Sequence, residues 1–166
     1  MRKLIGVEMR LPDGKLPGFY SQIVKGIADR AELFDRHKEL LIFRSREELP
    51  AVLDLLAHYK VESDLLDLLL LPENGIRRGP RYEDYIVETN QENRYAVLSE
   101  VRFFELTAER PEAETAPALA QLEEELIVRL EPPGIRLLAV DAQSEEWAER
   151  VAEAYRCGVR WHRFEN

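Results

Sequence analysis

Twice in this chain a short apolar run leads through a Ser-Glu helix start into an amphipathic helix, a tyrosine and a second apolar stretch. Leu40-Leu41 precede Ser45, Glu47, Glu48, Val52, Tyr59 and Val61, and Leu137-Leu138 precede Ser144, Glu145, Glu146, Val151, Tyr155 and Val159. Strand, capped helix and strand in succession is the grammar of a βαβ unit. It constrains the chain to a sheet covered by helices. The two segments align only with a short gap, so they predict a mixed α/β sheet without establishing a duplication.

The remaining elements follow from periodicity and turn chemistry. Residues 3–11 read as a strand closed by Pro12-Asp13-Gly14. Tyr20, Ile23, Val24, Ile27, Ala31 and Phe34 recur at helical spacing from Pro17 onward. Ser45-Arg46-Glu47-Glu48 fits a capping box ahead of a helix through Tyr59. Leu65 to Leu71 is nearly all leucine, a strong helix former, and predicts a short buried helix ending at Pro72. Tyr85–Thr89 and Arg94–Thr107 predict a hairpin across Asn90 to Asn93. A phase change near Phe103 calls for a bulge or a strand buried on both faces. Leu119, Leu122, Leu126 and Leu130 predict one long helix stopped by Pro132-Pro133-Gly134. Ile135–Val140 reads as a strand, Ser144 starts a helix, and Cys157–Phe164 reads as an edge strand. The expected fold class is α+β (mixed α/β), one globular domain over residues 1–166. Its mixed sheet of about five or six strands would pack against four or five helices, with no linker long enough to divide it.

Composition excludes several classes. With 45% hydrophobic residues in dense runs the chain is not disordered, and a lone Cys157 makes no intrachain disulfide. No apolar stretch nears the roughly 20 residues that span a bilayer, and Glu8 interrupts any signal-peptide core. A soluble protein of the cytoplasm is expected. The net charge of −9 argues against nucleic acid as a partner. That charge is uneven: residues 111–154 carry −8 and residues 45–75 carry −5, offset by +3 over residues 1–44 and +2 over residues 155–166.

No catalytic constellation emerges. His37, His58, His162 and Cys157 lack the paired spacing of a metal site, so no metal and no cofactor are expected. No glycine-rich phosphate loop is present. Asp84 or Glu88 followed by Glu100-Val101-Arg102 has the spacing of a metal-dependent hydrolytic hairpin, but Arg102 stands where a compact amine is needed.

The informative features are surfaces. Arg77, Arg78, Arg81 and Tyr82 occupy a constrained loop suited to clamping an anion or an acidic patch. The tail interleaves Arg156, Arg160, Trp161, His162 and Arg163, residue types enriched at interfaces. As an edge strand it also invites self-association. The acidic faces Glu123–Glu125 and Glu145–Glu153 would steer a basic protein partner. A non-enzymatic interaction or regulatory module is therefore the leading expectation. It is similar in charge and size to immunity proteins and antitoxin-like inhibitors, and by that analogy only. The alternative is a small-molecule-binding domain or enzyme that takes an anionic ligand through the arginine loop.

Overall fold

The structure, a computed structural model, describes residues 1–15 and 17–165. Strand β1 (Arg2–Arg10) leads to helix α1 (Pro17–Ala28), β2 (Asp35–His37) and β3 (Leu40–Phe43). A 3-10 turn then opens α2 (Leu49–His58), which is followed by β4 (Glu62–Leu70). The middle of the chain holds β5 (Ile76–Arg78), the single-turn α3 (Tyr82–Tyr85), β6 (Ile86–Glu88) and β7 (Arg94–Val97). The last third runs β8 (Val101–Thr107), α4 (Thr115–Leu122), β9 (Val128–Leu130), β10 (Leu137–Asp141), α5 (Glu145–Ala154) and β11 (Gly158–His162).

These strands form two sheets rather than the one expected, and every pairing is antiparallel rather than mixed. The first runs β2-β3-β1-β4-β7-β6 and the second β11-β8-β10-β9-β5. Without β5, β6 and β7, each sheet belongs to a β-α-β-β-α-β unit in which the first strand lies between the third and the fourth. This is the split βαβ, or ferredoxin-like, topology. The connection between the units is itself structured, giving the β6–β7 hairpin to the first sheet and β5 to the second.

The two segments that look alike in sequence are the same part of these two units, each a third strand, second helix and fourth strand. Their helices, Leu49–His58 and Glu145–Ala154, are offset by 96 positions, as are the 3-10 turns before them. Tyr59 and Tyr155 follow in register. Then come Lys60 and Arg156, each left-handed at φ 56° and 59°, and the buried Val61 and Cys157.

The leucine run is the main departure from expectation. Leu65–Leu70 is strand, not helix, and lies in β4, which pairs with β1 over nine residues. Leu66, Leu68 and Leu70 face one core while Leu69 and Leu71 face another. Burial on both faces erases the alternation by which a strand is read. Similarly, α4 stops at Leu122, and Leu126 and Leu130 belong to a turn and to β9. The predicted second hairpin strand breaks at Leu98–Glu100, after which β8 crosses to the other sheet. There Val101, Phe103 and Phe104 are all buried, as a strand covered on both faces requires. Ser45 makes no side-chain cap, so the capping box does not form.

The first sheet curls until its ends meet. In a flat sheet β2 and β6 would stand roughly 24 Å apart, at about 4.8 Å per strand. Instead Asp35 of β2 accepts hydrogen bonds from Thr89 and Asn93 in the β6–β7 turn and from Tyr95 of β7, at 2.7 to 2.8 Å. The curl encloses Leu4, Leu40, Ile42, Leu68, Tyr95 and Val97. The outer face of this sheet carries α1 and α2 over Ile5, Val7, Leu41 and Phe43. Leu69, Ile86 and Ala96 of the first sheet join Phe103, Val128 and Ala139 of the second in a shared core. Helices α4 and α5 cover the second sheet's opposite face.

Candidate interaction surface

The acidic stretches at the end of α4 and the start of α5 meet at one pole of the molecule, together with two segments that are distant in sequence. Arg81 lies at its centre. Its guanidinium donates to Glu125 at 3.0 Å and to the Tyr85 hydroxyl at 3.3 Å, and lies 3.7 Å from Asp84. Tyr85 in turn donates to Asp141. The next backbone N–H, that of Ala142, donates to the Glu100 carbonyl at 2.8 Å. Arg102 closes the set, donating to Glu145 at 2.7 Å. Four carboxylates (Asp84, Glu125, Asp141 and Glu145) thus gather around two arginines, with the Glu100 turn beside them.

Local chemistry favours the charged forms of Asp141 and Arg81 and the neutral form of Tyr85. The Gln143 backbone N–H, then the Tyr85 hydroxyl, hold the Asp141 carboxyl below its ordinary value. The same carboxylate raises the Tyr85 phenol, and Glu125 raises the Arg81 guanidinium. Beside the pole a cleft of about 380 Å³ opens along the seam of the curled sheet, lined by His37, Glu83, Asp84, Tyr85, Glu88 and Glu100 among others. Its charge suits a lysine or arginine side chain.

The expected arginine loop is instead strand and helix, with Arg77 and Arg78 in β5, Arg81 capping α3 and Tyr82 within it, and its arginines are distributed among carboxylates of the protein itself. Arg77 pairs with Glu131 at 3.1 Å. Arg78 pairs with Glu83 at 2.9 Å and Glu88 at 2.8 Å, and its guanidinium lies over the Tyr82 ring at 4.5 Å. Tyr82 is buried and donates to Glu88 at 2.7 Å. Burial first, then Glu88, pushes its phenol far above the ordinary range. Tyr82, Arg78 and Arg94 in return hold Glu88 below its usual value. Arg81 belongs to the acidic pole, so the three arginines each face a different set of acids.

The C-terminal residues lie on β11, the outermost strand of the second sheet. Arg160 pairs with Glu105 at 3.1 Å and Glu109 at 3.8 Å, and His162 lies 3.3 Å from Glu105. Arg156 binds Glu114 and the Glu112 carbonyl. Trp161 donates to Glu149 of α5 at 2.8 Å and packs 5.1 Å from Phe104. Arg163 is exposed.

Tyr85, Glu100 and Asp141 were not picked out as part of any surface by sequence reasoning. Glu100 and Asp141 do stand at strand ends, beside turns, where binding groups gather. Their convergence depends on β8 crossing between sheets, which no local pattern encodes. Among the described residues no three His, Cys, Asp or Glu side chains are grouped to hold a metal ion, and no helix is long and apolar enough to cross a membrane. No protein-family model, no curated protein and no solved structure matches this chain.

Proposed function

We propose that this chain is a non-enzymatic interaction or regulatory module of the cytoplasm that engages a basic protein partner through its acidic helical surface. The observation that carries the reading is the pole around Arg81, where four carboxylates, from α3, the turn after α4, the end of β10 and the start of α5, gather around two arginines. Such a field steers a positively charged partner and strengthens at low ionic strength. The half-buried Trp147 and Trp161 on the same layer supply the apolar anchors that interfaces favour. The likeness to immunity and antitoxin-like inhibitors remains one of charge and size.

An anionic ligand at Arg77, Arg78 and Arg81 would have to displace the carboxylates that each already binds, so the alternative gains no support from the geometry. Self-association through β11 keeps the support of its free outer edge.

Affinity capture at low and at high salt tests the main reading, using the wild-type chain and a variant with Glu100, Glu124 and Glu146 changed to Lys. A basic protein retained only at low salt and lost by the variant is the expected result. Absence of any salt-sensitive partner sinks the proposal.

A further inference from the structure

A second cleft, of about 1120 Å³, lies at the opposite end of β8 from the acidic pole. Its origin is a mismatch of strand lengths. The β8–β10 ladder ends at Phe104–Leu138, but β8 continues to Thr107, paired beyond that point with β11. The six residues joining β9 to β10 run past this point and turn away. The strand edge at Leu106 therefore faces a loop wall across an open slot.

That wall is preformed. The Ile135 N–H donates to the Pro132 carbonyl at 3.0 Å and Gly134 sits at φ 80°, a turn for which Pro133 and Gly134 are the suited central residues. Its base is tied down where the Glu131 N–H donates to the Gly75 carbonyl. Leu106 and Leu119 form a half-buried apolar floor, and Thr115 and Ala116 of α4 form one rim. The charges around the slot are unequal in availability. Glu105 is held by Arg160 and His162, and Glu131 by Arg77 and Arg129. Arg136 is exposed, with no carboxylate partner among the described residues.

We infer that this slot is a binding site for an extended peptide segment that adds to the edge of β8, placing an apolar side chain on Leu106 and Leu119 and a carboxylate against Arg136. An edge strand supplies main-chain hydrogen bonds to such a segment and the adjoining pocket supplies its side-chain preference. A fixed wall lowers the ordering cost of binding. The occupant is acidic and apolar, the reverse of the basic partner proposed for the other pole, so the two sites are separable by experiment.

Selection of random displayed peptides on the full chain tests the site, with two variants as counter-targets. Arg136→Glu reverses the free charge, and Ala116→Trp fills the slot from an exposed position, so both leave the core untouched. Enriched peptides are expected to alternate apolar and acidic residues, and to lose about tenfold or more in affinity on either variant. Their amide shift changes should centre on Leu106, Thr107, Leu119 and Arg136. Failure to enrich any peptide overturns the inference. So does binding unaffected by both variants, or replacement of peptide by a simple fatty carboxylate at the same amides.

Discussion

The Tyr95 hydroxyl donates to Asp35 Oδ2 at 2.8 Å, joining two strands that lie four places apart in one sheet. Asp35 is only 3% exposed. Oδ2 also accepts from Thr89 and Asn93, and Oδ1 from the Arg36 backbone N–H at 2.8 Å. A buried carboxylate without a cationic partner persists only when hydrogen-bonded in this way. Asp35→Ala leaves two buried donors, Thr89 and Tyr95, and the half-buried Asn93 amide unpaired, and is expected to cost about 3 kcal/mol. Tyr95→Phe removes one bond to a charged group and should cost about 2 kcal/mol. Urea unfolding of both single variants and the double variant measures their coupling. Additive losses would show that the two side chains do not act as a unit.

The same carboxylate makes the fold sensitive to acid. Burial alone would push Asp35 upward, but the hydrogen bonds from Asn93, Thr89, Tyr95 and the Arg36 backbone together hold it below its ordinary value of 3.8. A carboxyl lowered on folding stabilises above its unfolded value, and that stability is lost as pH falls through the folded one. The stability gap between wild type and Asp35→Asn should therefore be full at neutral pH and shrink below about pH 4. A gap that is constant between pH 7 and pH 3 would contradict this.

Gly79 sits where the connecting segment docks on the second sheet. Its N–H donates to the Ile127 carbonyl at 3.0 Å, and a Cβ there would run into the Leu126 carbonyl. Because the obstacle is backbone, no side chain can give way. Gly79→Ala should lower stability by about 2 kcal/mol or more, comparable to overpacking a core. Thermal unfolding beside Gly18→Ala, which meets nothing, provides the comparison.

The left-handed Lys60 offers the opposite effect. A non-glycine residue at φ 56° carries a local cost that glycine avoids. Lys60→Gly should therefore stabilise by up to about 1 kcal/mol. The equivalent Arg156→Gly should gain less, because it forfeits the bonds to Glu114 and Glu112. A larger gain at Arg156 than at Lys60 would mean that those bonds contribute nothing.

Self-association through β11 has its own measurement. Val159→Pro removes an outward-facing backbone donor from the edge strand and should convert any β11-mediated dimer to monomer by light scattering. If the unmodified chain is monomeric at high concentration, the edge is not a self-pairing surface.

Periodicity and turn chemistry determined the elements whose burial is one-sided. Helix α2 carries a stripe from Leu49 to Leu56 and β11 alternates at a sheet edge, while β3, buried on both faces, was legible as a short apolar run between charges. The two-fold grammar of 40–61 and 137–159 was also legible as strand, helix, tyrosine and strand with a short gap, and the structure adds the fixed spacing of its 3-10 turn, helix and left-handed residue. What tertiary structure alone decided was the state of the leucine run and the crossing of the chain between sheets. The Leu65–Leu71 run has high helix propensity, yet packing Leu66 and Leu68 to Leu71 into two cores outweighs a preference of a few tenths of a kcal/mol per residue. The acidic pole follows the same logic. The charge of residues 111–154 was visible, but its meeting with Asp84, Tyr85 and Glu100 depends on β8 leaving one sheet for the other. Local propensity acts over a few residues, whereas the pairing of β8 with β10 and the closure at Asp35 are contacts between distant segments. They are fixed only when the whole apolar surface is buried together.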